Sequence, residues 1–281
     1  MRMTREEFLS WDTKRITLLA MSGVGKTTLA NKLPKKKWFH YSGDYRIGTK
    51  YLAEPILDDI KYQAMRLPFL RELLLTDSIY IRCNITVENL TAVSCFLGKL
   101  GNSEEGGLSL EEFKRRQAMH RSAEIAAMRD VPEFIHKAQS IYGYNHFIND
   151  AGGSVCELDD PETLEILAQH TLILYLQAPH DMEQVLIERA QADPKPLYYR
   201  EAFLDTKLAE YLALHRLDNA NQISPNAFVA WIFPELFRSR LPRYQAIAER
   251  YGYTVDAGAA AQVRNEDDFI ALVADAIARQ T

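Results

Sequence analysis

The sequence has 281 residues, of which 47% are hydrophobic, so it is long enough to bury one large core or two small ones. Its net charge of −5 gives no overall basic field, so neither nucleic acid nor an anionic membrane is expected as a partner. The sequence shows no signal-like segment and no run of ~18 apolar residues, which favours a soluble cytoplasmic protein. Its three cysteines lack C-x-x-C spacing, so a reducing compartment is expected, without a disulfide framework or a zinc site.

Five short apolar runs, rich in β-branched or aromatic residues, alternate with segments of helical period. These runs are Ile16–Ala20, Trp38–Ser42, His146–Asp150, Thr171–Gln177 and Tyr253–Ala257. Short strands that alternate with helices predict a parallel sheet covered on both faces. The predicted fold is therefore α/β, with a five-stranded, doubly wound parallel sheet, and the apolar spacing of 265–280 predicts a closing helix.

Two stretches between the predicted strands are too long for simple crossovers. We interpret 51–135 as a helical insertion on the substrate side and 179–250 as a helical lid region, both within a single domain spanning 1–281. Within the insertion, Ser109 followed by Glu112 has the S-x-x-E pattern of a capping box, which predicts a helix start.

The segment "AMSGVGKT" (Ala20–Thr27) fits the P-loop pattern, with alanine at its first position where glycine is commoner. Gly23 and Gly25 allow the backbone to turn successive N–H groups inward, which makes a nest for a polyphosphate. The preceding strand and following helix are the context that this function requires. The predicted nucleotide-binding residues here are Ser22, Gly23, Val24, Gly25, Lys26, Thr27 and Thr28.

The expected cofactors are ATP and Mg²⁺. Lys26 is predicted to reach the β- and γ-phosphates, Thr27 to bind the metal, and Thr28 to contact the α-phosphate. Asp150 ends the strand "FIND" in the manner of a Walker B carboxylate, which makes it the second predicted metal ligand. The alternative interpretation of Asp150 is a turn residue before Ala-Gly-Gly.

Two large classes of P-loop protein do not fit this sequence. The one Asn-Lys pair, Asn31–Lys32, lies on the predicted P-loop helix and lacks the aspartate of the guanine-reading N-K-x-D motif. None of the five predicted strands ends in the Asp-Glu pair typical of motor ATPases. Small-molecule kinases remain.

The segment "WFHYSGDYRIGTKYL" resembles the second strand of the shikimate kinases, which ends in D-x-D. Asp44 stands at the second aspartate, and the resemblance implies that it binds the acceptor hydroxyl and can receive its proton. Ser42 stands at the first aspartate, which in that family is a carboxylate on the magnesium side. Ser42 lacks this negative charge, and Asp150 can supply it. Outside the resemblance, Asp44 can be read as an ordinary turn residue, and Arg46 as a partner of either an anionic substrate or Asp44 or Asp58.

Further segments resemble the same family in the same order. "EEFKRRQ" resembles its F-R-x-x-E helix, with Lys114 at the substrate arginine and Gln117 at the glutamate. "FINDAGGSV" resembles the strand and turn that face the acceptor, which implies substrate contacts for Gly152 and Gly153.

The lid and the last strand complete the resemblance. "IERAQADPKPLYY" resembles the lid, with Arg189 where arginines approach the ATP phosphates and Lys195 in place of an arginine. "RLPRYQAIAERYGYTVDA" places Arg240 at an arginine that holds the shikimate carboxylate; a surface cation at a helix end is its alternative interpretation. The departures fall on acceptor contacts, and lysine binds carboxylates less well than arginine, so an acceptor other than shikimate is expected.

Three functional hypotheses follow. The first is an ATP-dependent phosphotransferase for a small hydroxylated metabolite, for which Lys114, Lys195 and Arg240 favour an anionic one. The second is a P-loop ATPase or nucleotide-controlled binding module, with the helical insertion as the surface for a partner protein. The third is a kinase-fold toxin of the zeta type that acts on a nucleotide sugar.

Overall fold

The structure is a computed structural model that describes residues 1–280, with nothing stated for the side chains of His180 and Asp181. The chain forms two compact units. Unit 1 comprises Met1–Gly43, Glu124–Pro194 and Val229–Thr281, and unit 2 comprises Asp44–Ala123 and Lys195–Phe228. The predicted division into a single domain with an insertion at 51–135 and a lid at 179–250 stays a prediction.

Unit 1 contains a five-stranded parallel sheet in the order β2-β3-β1-β4-β5. Its strands are β1 (Arg15–Leu19), β2 (Trp38–Ser42), β3 (His146–Asp150), β4 (Leu172–Gln177) and β5 (Gly252–Asp256). Each lies within one residue of a predicted run, and nearly all residues of β1, β3 and β4 are buried. Consecutive buried residues require cover on both faces of a sheet, so the predicted doubly wound α/β fold is confirmed.

The helices occupy most of the remaining chain. They are α1 (Arg5–Ser10), α2 (Lys26–Ala30), α3 (Gly43–Arg46), α4 (Ala53–Met65), α5 (Pro68–Leu75), α6 (Thr91–Leu97), α7 (Leu110–Arg129), α8 (Val131–Ser140), α9 (Pro161–His170), α10 (His180–Ala192), α11 (Glu201–His215), α12 (Pro225–Tyr251), α13 (Ala257–Ala261) and α14 (Glu266–Gln280). A π-helical turn spans Ile47–Tyr51, and short 3₁₀ turns occur at Ser103–Glu105, Val155–Glu157 and Ala220–Gln222.

Local sequence signals explain several helix ends. The backbone N–H of Glu112 donates to Ser109 Oγ at 3.3 Å, so the predicted cap does start α7. Helix α2 is shorter than the apolar rhythm after the P-loop suggests, because Pro34 follows it closely and disfavours helical geometry in the residue before it. Conversely, α12 continues through Pro234 and Pro242.

Among residues 1–280, no helix combines the length and apolar character needed to cross a membrane.

Candidate functional site

The loops that follow β1 and β3 touch each other at the carboxyl edge of the sheet. A methyl group on Gly153 would lie 2.9 Å from the backbone nitrogen of Ser22, and one on Gly43 would lie 3.1 Å from the nitrogen of Gly152. Real Cβ atoms essentially never make a contact as short as the first, so glycine is needed at Gly153, and the second is tighter than most Cβ contacts. The turn after β3 therefore packs at Gly153 directly against the backbone of the P-loop. Ligands of open parallel sheets bind at this edge, where the strand order reverses.

The P-loop has the backbone geometry of an anion nest. Gly23 has φ +87° and Gly25 has φ +112°, which are left-handed conformations that glycine adopts without strain. The backbone N–H groups of Ser22, Gly23 and Gly25 donate no hydrogen bond within the described part of the chain. Ser22 and Gly23 are exposed and Gly25 is partly exposed, and such unused backbone donors are the groups that bind a phosphate in a nest.

Lys26 is buried at the start of α2, with 8% of its surface exposed. Its Nζ donates to the carbonyl oxygens of Ala20 at 2.9 Å and Met21 at 3.4 Å. Both acceptors are neutral. A phosphate is a stronger acceptor for an ammonium group than a carbonyl, so these contacts hold Lys26 in place without preventing its exchange to a nucleotide.

Thr27 and Asp150, the two predicted metal ligands, lie in direct contact. Thr27 Oγ1 donates to Asp150 Oδ2 at 2.5 Å, and His40 Nε2 lies 3.6 Å from the same oxygen. Burial of Asp150 opposes its ionisation, but the His40 ring, the Lys26 charge and the Thr27 hydroxyl outweigh burial and lower the pKa of this carboxyl. Asp150 is therefore a carboxylate at neutral pH, and this position is more than a solvent-facing turn.

The register of the sheet brings Ser42 beside Asp150. These residues are Cα partners at the ends of β2 and β3. Ser42 has no carboxylate, but that of Asp150 lies on the neighbouring residue of the sheet, where it could take the place of the absent aspartate.

The donor set fits magnesium better than a transition metal. A hydroxyl and a carboxylate are hard oxygen ligands, and Mg²⁺ usually takes one or two protein oxygens together with phosphate and water. Across the described residues, no group of three or more His, Cys, Asp or Glu side chains could hold a metal ion by itself. Thr27 and Asp150 would therefore hold Mg²⁺ only together with a bound nucleotide.

Arg240 is 3% exposed inside α12, so its interpretation as a surface cation at a helix end is wrong. Helix α12 continues past Pro242, so Arg240 lies in the interior of the helix and not at its end. Arg240 Nη1 donates to the Gly153 carbonyl at 3.2 Å, and its Nε lies 3.7 Å from Glu157 Oε1. This arginine supports the turn that touches the P-loop.

Sequence reasoning missed the buried polar groups around that turn. The Tyr244 hydroxyl donates to Gly153 O at 3.0 Å, with Ala20 O at 3.3 Å, which connects the β1 and β3 loops. The Ser154 hydroxyl donates to Glu124 Oε2 at 2.5 Å. Burial raises the pKa of Glu124, against the opposing effects of Ser154, Arg240 and Lys26. Their spacing in the chain matches no motif that could have signalled this cluster.

The other predicted nucleotide contact, Arg189, is exposed in the last turn of α10 in unit 1.

The remaining predicted substrate residues lie in unit 2. Asp44 is half-buried and is the first residue of that unit, directly after Gly43. The Arg46 guanidinium lies 5.8 Å from the centre of the Tyr51 ring. Lys114 is bound by two carboxylates of α11, at 3.2 Å from Glu201 and 2.7 Å from Asp205.

We expect Gly153→Ala to weaken nucleotide binding, because the new methyl group must push the Ser22 backbone out of the nest. Overpacking against backbone costs about 1–3 kcal/mol, so ATP affinity should fall by about tenfold in a calorimetric titration with Mg²⁺.

The matched control for this change is Gly143→Ala. Gly143 has φ +70° with nothing within 4 Å of the added methyl, and it lies just before β3, at the opposite end of that strand from Gly153. This variant should melt at a lower temperature through backbone strain but keep its ATP affinity. Equal ATP affinity in both variants would show that the Gly153 contact does not position the loop.

No protein-family model matches this chain, and no curated protein matches it. Among solved structures, shikimate kinase from Bacteroides thetaiotaomicron is 15% identical, with a TM-score of 0.40 and 95% of each chain covered. Shikimate kinase from Acinetobacter baumannii in complex with shikimate is 14% identical, with a TM-score of 0.33, 84% of this chain and 99% of that chain covered. At these values neither structure assigns a ligand to this chain, whose fold class stands on its own strand order and P-loop.

Proposed function

We propose that this protein is an ATP-dependent phosphotransferase that acts on a small hydroxylated metabolite. The observation that carries the proposal is the P-loop, where three unused backbone donors, the Lys26 ammonium and the Thr27–Asp150 contact surround one edge of the sheet. A polyphosphate with its magnesium ion is the ligand that uses all of these groups together.

The proposed roles divide between binding and chemistry. Lys26 and the backbone donors of Ser22, Gly23 and Gly25 bind the β- and γ-phosphates. Magnesium, held with Thr27 and Asp150, would neutralise charge on those phosphates. Phosphoryl transfer needs positioning and charge neutralisation more than covalent chemistry, so buried and prearranged cations suit it.

Asp44 is the proposed base for the acceptor. In the reaction, the bond between the γ-phosphorus and the bridging oxygen of ATP breaks, and a bond from the acceptor oxygen to that phosphorus forms. The acceptor hydroxyl loses its proton, which Asp44 receives, and ADP leaves. The position of Asp44 directly after the carboxyl end of β2 supports this role.

The experiment that tests the proposal measures ADP release with ATP, Mg²⁺ and a panel of polyols, sugars, nucleosides and hydroxy acids. We expect release to rise with one acceptor class and a phosphorylated product to appear by mass spectrometry. Release that is the same with every compound and with none would contradict the phosphotransferase and indicate a plain ATPase.

One observation favours a second candidate, the nucleotide-controlled binding module. Helix α5 has no buried residue, and three large apolar side chains on and before it are exposed: Leu67 by 56%, Phe69 by 75% and Leu75 by 61%. Exposed apolar side chains are a feature of surfaces that bind other proteins. ATP binding without acceptor-dependent turnover, together with nucleotide-dependent binding to a partner protein, would support this candidate over the kinase.

A further inference from the structure

Unit 2 contains a cavity of about 700 Å³ beside the segment that follows Asp44. Residues between 45 and 57 form one wall, and residues 82–85 form the other. Its volume lies within the range of about 300–1,000 Å³ that is usual for small-molecule sites. Tyr45, a lining residue, directly follows Asp44 on α3, so the proposed base and this cavity belong to one continuous segment.

The cavity wall depends on a special backbone turn. Leu52 N donates to Ile47 O at 2.8 Å, which closes the π-helical turn that contains Gly48. A methyl group on Gly48 would lie 2.5 Å from Val93 Cγ2 and 3.3 Å from Ile85 Cγ2. Glycine therefore lets the 82–85 segment pack directly on the turn. Single π-helical turns are rare and occur frequently at functional sites.

Arg82 is an exposed cation that lines the cavity. Within the described residues its guanidinium makes no hydrogen bond or ion pair. The cations of a neighbouring cavity differ, because Arg115 and Arg116 both bind Glu112 and Arg116 also binds Asp59. A free guanidinium offers a planar set of donors that suits a carboxylate or a phosphate.

The other lining groups suit the remainder of a hydroxylated molecule. Asn84 has an unpaired side-chain amide in the described structure, and Thr49 Oγ1 donates to Tyr45 O at 2.7 Å while its lone pairs remain able to accept. Ala53 and Leu57 give apolar contact. The cavity thus combines apolar contact with several polar groups, and both kinds of contact occur in small-molecule sites.

We propose that this cavity is the acceptor site of the phosphotransferase, and that Arg82 binds an anionic group of the acceptor while Asn84 and Thr49 bind its hydroxyls. The inference rests on the proposed function. It assigns recognition of the acceptor's charge to Arg82, which no motif indicated. Lys114 and Arg240, the residues that the resemblance indicated, are bound by two surface carboxylates and by a backbone carbonyl.

Cys83 lines the cavity and allows a test that needs no known acceptor. In a Cys95→Ser background, the other thiol is Cys156, which is buried, and burial raises its pKa to about 12, so it stays unreactive. Cys83 is then modified with anionic 2-sulfonatoethyl or cationic 2-(trimethylammonio)ethyl methanethiosulfonate. Arg82→Gln should lower the anionic-to-cationic rate ratio by about tenfold.

The matched control for the labelling is Arg71→Gln, which removes an exposed arginine of α5 outside the cavity lining. It should leave the rate ratio unchanged. Equal ratios in the parent protein and in Arg82→Gln would overturn the inference, because the cavity would then not attract anions. Since Arg82 is exposed, both variants should keep the cooperative unfolding of the parent, which a melting curve checks.

Kinetics then tests the acceptor role itself. With an anionic acceptor found by ADP release, Arg82→Gln should raise the acceptor KM by about tenfold or more with kcat within about threefold, and labelling of Cys83 should abolish acceptor turnover but keep ATP binding. An unchanged KM would overturn the inference while the phosphotransferase stands. If the parent protein phosphorylates none of the panel compounds, the proposed function fails, and the labelling ratio still decides whether the cavity selects anions.

Discussion

Lys26→Met should lower ATP affinity by about 100-fold or more and remove most ATP turnover. The ammonium is predicted to donate to two phosphates, and each charge-assisted hydrogen bond contributes about 1.5–3 kcal/mol. Methionine keeps the unbranched stem that α2 buries, so the fold should survive. Calorimetry with Mg²⁺-ATP gives the affinity, and a melting curve shows whether unfolding stays cooperative.

The control for this experiment is Lys32→Met, which removes an exposed lysine just after α2. It changes the same net charge by the same amount but leaves the nest untouched, so its ATP affinity should match that of the parent. If Lys26→Met binds ATP as tightly as Lys32→Met, the P-loop assignment is wrong and the phosphotransferase proposal fails with it.

Asp44→Asn should lower acceptor-dependent turnover by about 10²–10⁴-fold and change ATP affinity by less than about threefold. An amide of the same shape cannot take the proton from the acceptor hydroxyl, and general-base catalysis contributes about this much. Single-turnover kinetics with saturating ATP measures the loss in the chemical step, and calorimetry measures nucleotide binding separately.

Asp218→Asn is the matched control, because Asp218 is an exposed aspartate of unit 2 with no contact from its carboxylate in the described structure. It should behave as the parent protein in both measurements. A parallel fall of turnover and ATP affinity in Asp44→Asn would instead assign Asp44 a structural role at the turn after β2.

The sequence was sufficient to predict the fold because its signals are local. Each strand is a short apolar run that requires cover on both faces, and each was found within a residue of its predicted bounds. The cap at Ser109 and the glycines of the P-loop likewise act through backbone geometry within a few residues. The contact between Thr27 and Asp150 was also predictable, because carboxyl ends of parallel strands share one edge of the sheet.

The sequence was insufficient for the charged groups that a substrate would meet. Lys114 matched a family position, yet its partners, Glu201 and Asp205, lie on another helix about ninety residues away in the chain. Arg240 and Glu124 show the same limit, since each is buried against residues around Gly153 that no spacing rule connects to it.

What the sequence alone determined is thus the number of strands, their placement along the chain and the nest that follows β1, because strand periodicity and glycine conformation depend on neighbouring residues. Only the tertiary structure decided which cations stay available to a ligand. Whether a guanidinium or ammonium is neutralised depends on carboxylates brought close by packing from distant parts of the chain. For this reason Lys114 is bound by two carboxylates of α11, whereas Arg82, which belongs to no motif, lines a cavity and has no partner among the described residues.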